Sequence, residues 1–388
     1  MANTVKVSPT ADAEYYRTLS RESGFSPLLV LDCERLRQQY RSLVAALPGV
    51  DMYYAIKSLP NMDVLHTLAA EGAGFDIATS AEAEMLAQVA VSPRHTIHTH
   101  PIKRPRDIID ALRYGCTTFV VDNPEEIAKF EPYRQRVSLL LRVSFRSPSA
   151  LVDLSRKFGC APQEVDTLLD EAARLGIHVK GLSFHVGSQS LDSSQQVKAI
   201  DTCNALIRAR HARGLPPLSV LDIGGGFPAS YGQGEVDIEA YCEPIRAALD
   251  RLPEFVNVLA EPGRFLSAPS MTGVATVMGR ALRDGRWWYY FDDGVYGSYS
   301  GQLFDHTHYP LEVFSDSAER FPSVLSGPTC DSIDVIAEDL ELPELQIGDL
   351  LVGHSMGAYT AASATDFNGF PRARVVLVNQ HMDEALTG

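Results

Sequence analysis

Eight short apolar runs along the first two-thirds of the chain each end on residues equipped for chemistry. In order they deliver Lys57, Asp76, His98 or His100, Asp122, Arg142, His185, the run Gly224, Gly225 and Gly226, and Glu261 with Arg264. A lysine amine can form an imine with a carbonyl compound. Consecutive glycines let backbone N–H groups converge on a phosphate, and an arginine adds a two-pronged donor. Each residue alone also has an ordinary role: Lys, Asp and Arg commonly end strands in solvent, a glycine run commonly makes a tight turn, and a histidine in a core is commonly satisfied by hydrogen bonds. Their joint placement is harder to dismiss. Glu261 separates the readings, because it lies beside the two loops best suited to phosphate, DIGGGFP and AEPGRF. A carboxylate there would pair with a protonated ring nitrogen. Amine, carboxylate and phosphate grip together suit pyridoxal phosphate, with His185 placed to stack on its ring.

The elements that must hold these residues can be read from periodicity. The apolar runs begin near Asp51, Phe75, His95, Thr118, Val137, His178, Ser219 and Val256, with helical patterns between them. Asn61 is placed to cap MDVLHTLAAEG, which ends at Gly72, and Thr79 with Glu82 reads as a capping box before AEAEMLAQVA. Eight strand and helix pairs over about 220 residues fit a TIM-type (β/α)8 barrel, in which chemistry sits at the C-terminal strand ends and phosphate sits at the loops after strands seven and eight. From about Met271 the pattern turns β-rich, in GVATVMGRAL, RWWYYFDDGVYG, DLLVGHSMGAYTAAS and ARVVLVNQ. The expected organisation is α/β plus β. Residues 33–270 form the barrel, and residues 1–32 and 271–388 form a β-sandwich or β-barrel domain.

Composition narrows the partners. The net charge of −15 over 388 residues has the wrong sign for nucleic acid and would welcome a cationic ligand, although solubility alone also explains it. Six cysteines are scattered without a C-x-x-C pair or metal-ligand spacing, which suits a reducing cytoplasm and predicts no metal. The start of the chain lacks a signal-peptide pattern and no run is long enough to span a bilayer, so a membrane location is not expected.

YYAIKSLPN, GFDIATSAE, SRKFG, SFHVGSQ, LDIGGGFP and AEPGR resemble the fold-type III pyridoxal-phosphate-dependent decarboxylases, whose barrel is of the alanine-racemase type. Beyond the barrel, FDDGVYGSYS, LFDHTH, SGPTCDSIDVI, LPELQIGDLL and GAYTAASATDFNGF are similar to the ornithine and lysine decarboxylase branch, in the same order. The resemblance implies that Lys57 carries the cofactor, His185 stacks on the ring and Glu261 partners the pyridine nitrogen. It implies phosphate contacts from Ser188, Gly224, Gly225, Gly226, Gly263, Arg264 and Tyr359, and a cofactor-shell place for Asp76 and Arg142. Cys330 matches the donor that protonates Cα after carbon dioxide leaves. Asp305 and Asp331, with Phe304 beside them, match positions that receive the substrate's distal amine. The family also implies a homodimer with shared sites, the Cys330–Asp331 loop of one subunit completing the site around Lys57 of the other and Phe367 near the interface. The expected reaction is conversion of L-ornithine to putrescine, within polyamine formation. Lysine, dual lysine and ornithine specificity, or a specialised pathway are the alternatives. Ser332 where glycine is common, and Phe304 where tyrosine is common, leave that choice open.

Other functions compete. GHSMG at Gly353–Gly357 fits a hydrolase nucleophile elbow, with Asp366 and His381 following in hydrolase order. Too little chain follows Ser355 for a hydrolase, and AYTAASAT reads as strand where a helix is required. A catalytically silent regulator would keep the fold without turnover, yet the imine lysine, the donor cysteine and the phosphate loops are all present. A racemase is not expected to carry its second base in a P-T-C-D loop. A diaminopimelate decarboxylase would need to bind a distal carboxylate, which C-D and F-D-H do not favour.

Overall fold

The computed structural model describes residues 5–145, 157–232 and 234–380. Strands β1 (Val5–Ser8) and β2 (Leu28–Asp32) precede a series of eight: β3 (Val50–Ala55), β4 (Gly74–Ile77), β5 (Thr96–His98), β6 (Thr118–Val121), β7 (Ser138–Val143), β8 (Val179–Phe184), β9 (Val220–Asp222) and β10 (Asn257–Ala260). Seven more follow: β11 (Met271–Arg283), β12 (Arg286–Phe291), β13 (Leu311–Phe314), β14 (Phe321–Ser326), β15 (Val335–Leu342), β16 (Leu350–Gly353) and β17 (Arg374–Val378). The described residues divide into two compact units, one within Arg37–Pro228 and Val236–Phe265, the other within Met1–Leu36, Ala229–Glu235 and Leu266–Gly388.

In the first unit β3 to β10 pair in sequence order and β10 closes onto β3, giving an eight-stranded parallel barrel. Each strand starts within one residue of its expected position. Val120, Leu140, Val220 and Leu259, with Tyr53 against them, form a cluster contributed by β6, β7, β9, β10 and β3, and this filling makes the barrel a core rather than a pore. Asn61 caps the helix Met62–Ala70 by accepting N–H bonds from Asp63 at 2.8 Å and Val64 at 3.2 Å. Thr79 caps Ser80–Val89 through the Glu82 N–H at 3.4 Å, but the Glu82 carboxylate reaches back to the N–H of Ala78, one residue before the cap. The capping box is therefore displaced by one residue.

The second unit is one connected sheet of nine strands. β11 pairs antiparallel with β2 and β16 along its first half and with β12 along its second, and the register shifts between Val277 and Gly279 where the halves meet. The N-terminal strands enter this sheet, β1 parallel to β13 and β2 parallel to β17. Leu28, Val30, Val274, Phe314, Leu350 and Val352 pack into its core.

One expectation fails here. AYTAASAT is not a strand: β16 stops at Gly353 and the segment forms bends and turns. Its hydroxyls bond back to its own backbone, Thr360 Oγ1 to the Met356 carbonyl at 2.6 Å and Ser363 Oγ to that of Tyr359 at 2.8 Å. Such local bonds compete with a sheet ladder. It is no helix either, so Ser355 lacks the element a nucleophile elbow requires; His381 lies outside the described residues.

Candidate active site

Adjacent strand ends set the first contact. Lys57 lies in a single 3₁₀ turn, Ile56–Ser58, directly after β3, and Asp76 lies within the neighbouring β4. The Lys57 ammonium donates to Asp76 Oδ2 at 3.2 Å; the lysine side chain is 42% exposed and the aspartate side chain 2%. The other oxygen, Oδ1, accepts the Thr99 hydroxyl at 2.5 Å. Burial pushes the Asp76 carboxyl up to about 6, against the pull of Lys57 and with a further push from Glu261. An ionised Asp76 therefore depends on the two donors it has.

Glu261 follows β10 on the other side of β3, and its N–H donates to the Gly224 carbonyl at 2.8 Å. Its buried carboxyl meets that of Asp222, at the end of the adjacent β9. Burial first, and Asp222 second, hold Glu261 well above the usual carboxyl range; Asp222 itself rises to about 6, chiefly by burial. Two buried carboxyls at neighbouring strand ends cannot both ionise cheaply, which favours a shared proton on the pair. A basic ring nitrogen at Glu261 is the kind of group that would take up such a proton.

The glycine loop is shaped by close approach. Gly224 and Gly226 have φ of +66° and +99°, and a Cβ on them would lie 2.2 Å from the Phe184 carbonyl oxygen and 2.5 Å from that of Gly187. No side chain fits there. Arg264, buried, donates through Nε and an Nη to Ser188 Oγ at 3.2 and 3.0 Å, which brings the loops after β8 and β10 together. Gly263 precedes it and packs near Ser58, where a Cβ would sit 3.1 Å from the serine Cβ. His185 Nδ1 accepts the Gly187 N–H at 3.1 Å, so the neutral ring carries its proton on Nε2. Burial, then Arg142 and Lys57, hold that ring neutral well below the usual imidazole range.

The remaining rim residues divide. Burial lowers Arg142, while Glu261, Asp122, Asp222 and Asp76 oppose that shift and favour its charge. Its guanidinium lies 5.6 Å from the centre of the Phe158 ring. Asp122 accepts the Gly159 N–H at 2.7 Å and thus fastens the FG end of SRKFG. The His100 ring meets Phe158 edge-on at 5.5 Å. His98 is fully buried and stacks on Phe119 at 5.6 Å with neither ring nitrogen hydrogen-bonded; His100 is thus the better fit to the rim.

Five expected site residues belong to the second unit. Tyr359 packs with Ala229, Ala268 and Ala358. Asp305 accepts the Thr307 hydroxyl at 3.0 Å, and the preceding Phe304 is 66% exposed. Cys330 is exposed, and its N–H donates to Asn368 Oδ1 at 3.0 Å. Asp331 Oδ2 accepts the Tyr296 hydroxyl at 2.5 Å, a bond that, with the Ile333 N–H, holds its carboxyl below the usual range. The sequence reading missed Thr99, Asp222, Tyr296 and Asn368. Asp222 alone carried a signal, standing directly before the glycine loop at a strand end.

Residues 33–268 match the family model described as the pyridoxal-binding domain of pyridoxal-dependent decarboxylases. The chain belongs to this decarboxylase family. It is 37% identical over 361 residues to the lysine/ornithine decarboxylase of Selenomonas ruminantium, covering 93% of this chain and 91% of that one. It superposes with a TM-score of 0.90 on the lysine/ornithine decarboxylase of Vibrio vulnificus solved with putrescine, at 52% identity over 96% of this chain and 99% of that one. The arginine decarboxylase of Paramecium bursaria Chlorella virus, solved with agmatine, gives 0.88 at 32% identity, over 94% and 100% of the two chains. The chain is therefore a carboxy-lyase whose cofactor is pyridoxal phosphate, and the buried Glu261 carboxyl, raised by burial and by Asp222, fits a partner for that cofactor's ring nitrogen.

Proposed function

We propose that this decarboxylase acts on a basic L-amino acid, L-ornithine first and L-lysine as the alternative, and releases the corresponding diamine, putrescine or cadaverine. The observation that carries the reading is the meeting at one barrel mouth of an amine, Lys57 on Asp76, with two buried carboxyls at neighbouring strand ends, Glu261 and Asp222. The relatives that bind putrescine and cadaverine support the choice of substrate.

In this reading Lys57 would be the amine that holds the cofactor, and Asp76 would keep its ammonium in place whenever it is free of the cofactor. Glu261 would partner the ring nitrogen and supply the counter-charge that keeps it protonated. His185 would stack on the ring, with Arg142 and Asp76 in the surrounding shell. Ser188, Gly224, Gly225, Gly226, Gly263, Arg264 and Tyr359 receive the phosphate. When bound, pyridoxal phosphate supplies the electron sink for the pair left as carbon dioxide departs. Cys330 then delivers a proton to Cα. Asp305 and Asp331, with Phe304 alongside, take the distal ammonium, and an apolar side chain would leave their charge unpaired.

The active form in this reading is a homodimer, in which the Cys330–Asp331 loop of one copy serves the Lys57 site of the other. A reducing compartment, the cytoplasm, suits cysteines that form no disulfide among the described residues. The test is amine and carbon dioxide analysis with L- and D-ornithine, lysine and arginine, with and without added pyridoxal phosphate. The proposal expects putrescine from L-ornithine as the fastest product and cadaverine next. No diamine from either L-amino acid, with the cofactor bound, refutes it.

A further inference from the structure

The turn between β14 and β15 carries Cys330 and Asp331, and it is fastened on two sides. On one side the buried Asp334 carboxylate accepts N–H bonds from Val295 and Thr329, both at 2.9 Å, while the Asp334 carbonyl accepts from Gly327 at 2.8 Å. On the other side two consecutive residues, Phe367 and Asn368, brace two consecutive residues of the turn. Phe367 stacks on Tyr296 with ring centres 4.4 Å apart, and the Tyr296 hydroxyl holds Asp331. Asn368 Oδ1 accepts the Cys330 N–H. Asn368 has a φ of +54°, in the left-handed region that asparagine tolerates better than most residues. The segment is tied to Tyr296 again by the Thr365 N–H, 2.8 Å from the Tyr296 carbonyl.

We propose that Asn368 is a positioning residue for Cys330, fixing the cysteine main chain so that the thiol is presented from one place. The proposal rests on the reading of Cys330 as the proton donor at Cα. Its consequence is fidelity. A proton delivered to Cα gives the diamine and returns pyridoxal phosphate. The same proton delivered to the carbon that was the cofactor's aldehyde, followed by addition of water, gives an aminoaldehyde and pyridoxamine phosphate. Carbon dioxide leaves in both cases, so only the destination of the proton differs.

The experiment compares Asn368→Gly, which keeps the backbone conformation and removes the acceptor, with Asn368→Asp, which keeps an acceptor oxygen. Cys330→Ala is the control. Pyridoxamine phosphate formed per carbon dioxide released is measured with L-ornithine or L-lysine, whichever the wild type turns over, and exchange of the Cys330 amide hydrogen is measured without cofactor. Loss of one hydrogen bond of about 1.4 kcal/mol predicts roughly tenfold faster amide exchange in Asn368→Gly. The misprotonated fraction rises with it, and Asn368→Asp stays near wild type in both readouts. Because the fraction is a ratio per turnover, unfolded protein does not move it. A wild-type fraction in Asn368→Gly alongside a raised one in Cys330→Ala overturns the proposal, as does an equal rise in the Gly and Asp variants. A wild-type fraction in Cys330→Ala overturns the donor reading itself, and the proposal with it.

Discussion

Lys57 and Asp76 form an unequal pair: the lysine is substantially exposed, the carboxylate is buried, and 3.2 Å separates them. The exposed partner is open to a ligand from solvent while the buried one is enclosed by the protein. What keeps Asp76 charged is then a question about its other oxygen, which Thr99 answers.

Thr99→Val removes the hydroxyl bonded to Asp76 Oδ1 with little change of shape. A buried acceptor left without its donor costs about 1–3 kcal/mol when ionised, so the Asp76 carboxyl should rise above its present value of about 6. Lys57, Glu261, Glu82, Arg142 and Asp222 also bear on Asp76 and are unchanged by the substitution. Pyridoxal phosphate affinity near neutral pH should fall roughly tenfold and recover toward pH 9, with Thr99→Ser close to wild type. Absorbance titration measures this, and a wild-type affinity and pH profile in the valine variant would contradict it.

The carboxyl pair Asp222 and Glu261 makes the cofactor-free protein sensitive to pH in a defined direction. Both carboxyls lose their protons at higher pH in the fold than in the unfolded chain, so from about pH 4 upward the fold holds protons that the unfolded chain has released. Stability from this source is present in full below the ordinary carboxyl range and is lost as the pH rises through about 6 for Asp222, and beyond that for Glu261. A carboxyl that titrates one pH unit higher in the fold than in the unfolded chain accounts for ~1.4 kcal/mol of this change. Thermal unfolding of the cofactor-free protein at a series of pH values should show a shallower decline for Asp222→Asn than for wild type, and equal slopes would count against the pair.

Arg264 holds Ser188, and in the proposed reading it also receives the phosphate. Its removal in Arg264→Ala deletes charge-assisted bonds worth about 1.5–3 kcal/mol each, so cofactor affinity should fall by roughly 10- to 150-fold. Ser188→Ala, which removes a neutral hydroxyl, should cost less. The reverse order of the two effects would contradict the placement.

Asp331 is kept ionised by Tyr296 and the Ile333 N–H, and an ionised carboxylate is what a distal ammonium requires. Asp331→Ala should lower kcat/KM for ornithine and for lysine by roughly 10- to 100-fold, the cost of an unpaired charged hydrogen bond. Unchanged values for both substrates would remove Asp331 from the substrate site.

The barrel was legible because its strands are short, nearly continuous apolar runs and its helices announce their starts, as Asn61 does. Lys57, Glu261 and Arg264 were legible because each stands at a strand end, where barrel chemistry gathers. Thr99 was hidden between two histidines that draw more attention, and its role exists only because β5 brings it beside Asp76, 23 residues earlier. Tyr296 and Asp331 are 35 residues apart, and no periodicity links them. AYTAASAT misled because alternating small and hydroxylated residues imitate a strand, whereas its Thr360 and Ser363 hydroxyls satisfy local carbonyls instead.

The central claim is that Lys57 is the residue that carries pyridoxal phosphate. Borohydride reduction of the cofactor-loaded protein followed by peptide mapping tests it directly. The account predicts a single pyridoxyl label on the Lys57 side chain, absent in Lys57→Ala. A label on another lysine, or none in protein that retains the cofactor, would contradict it.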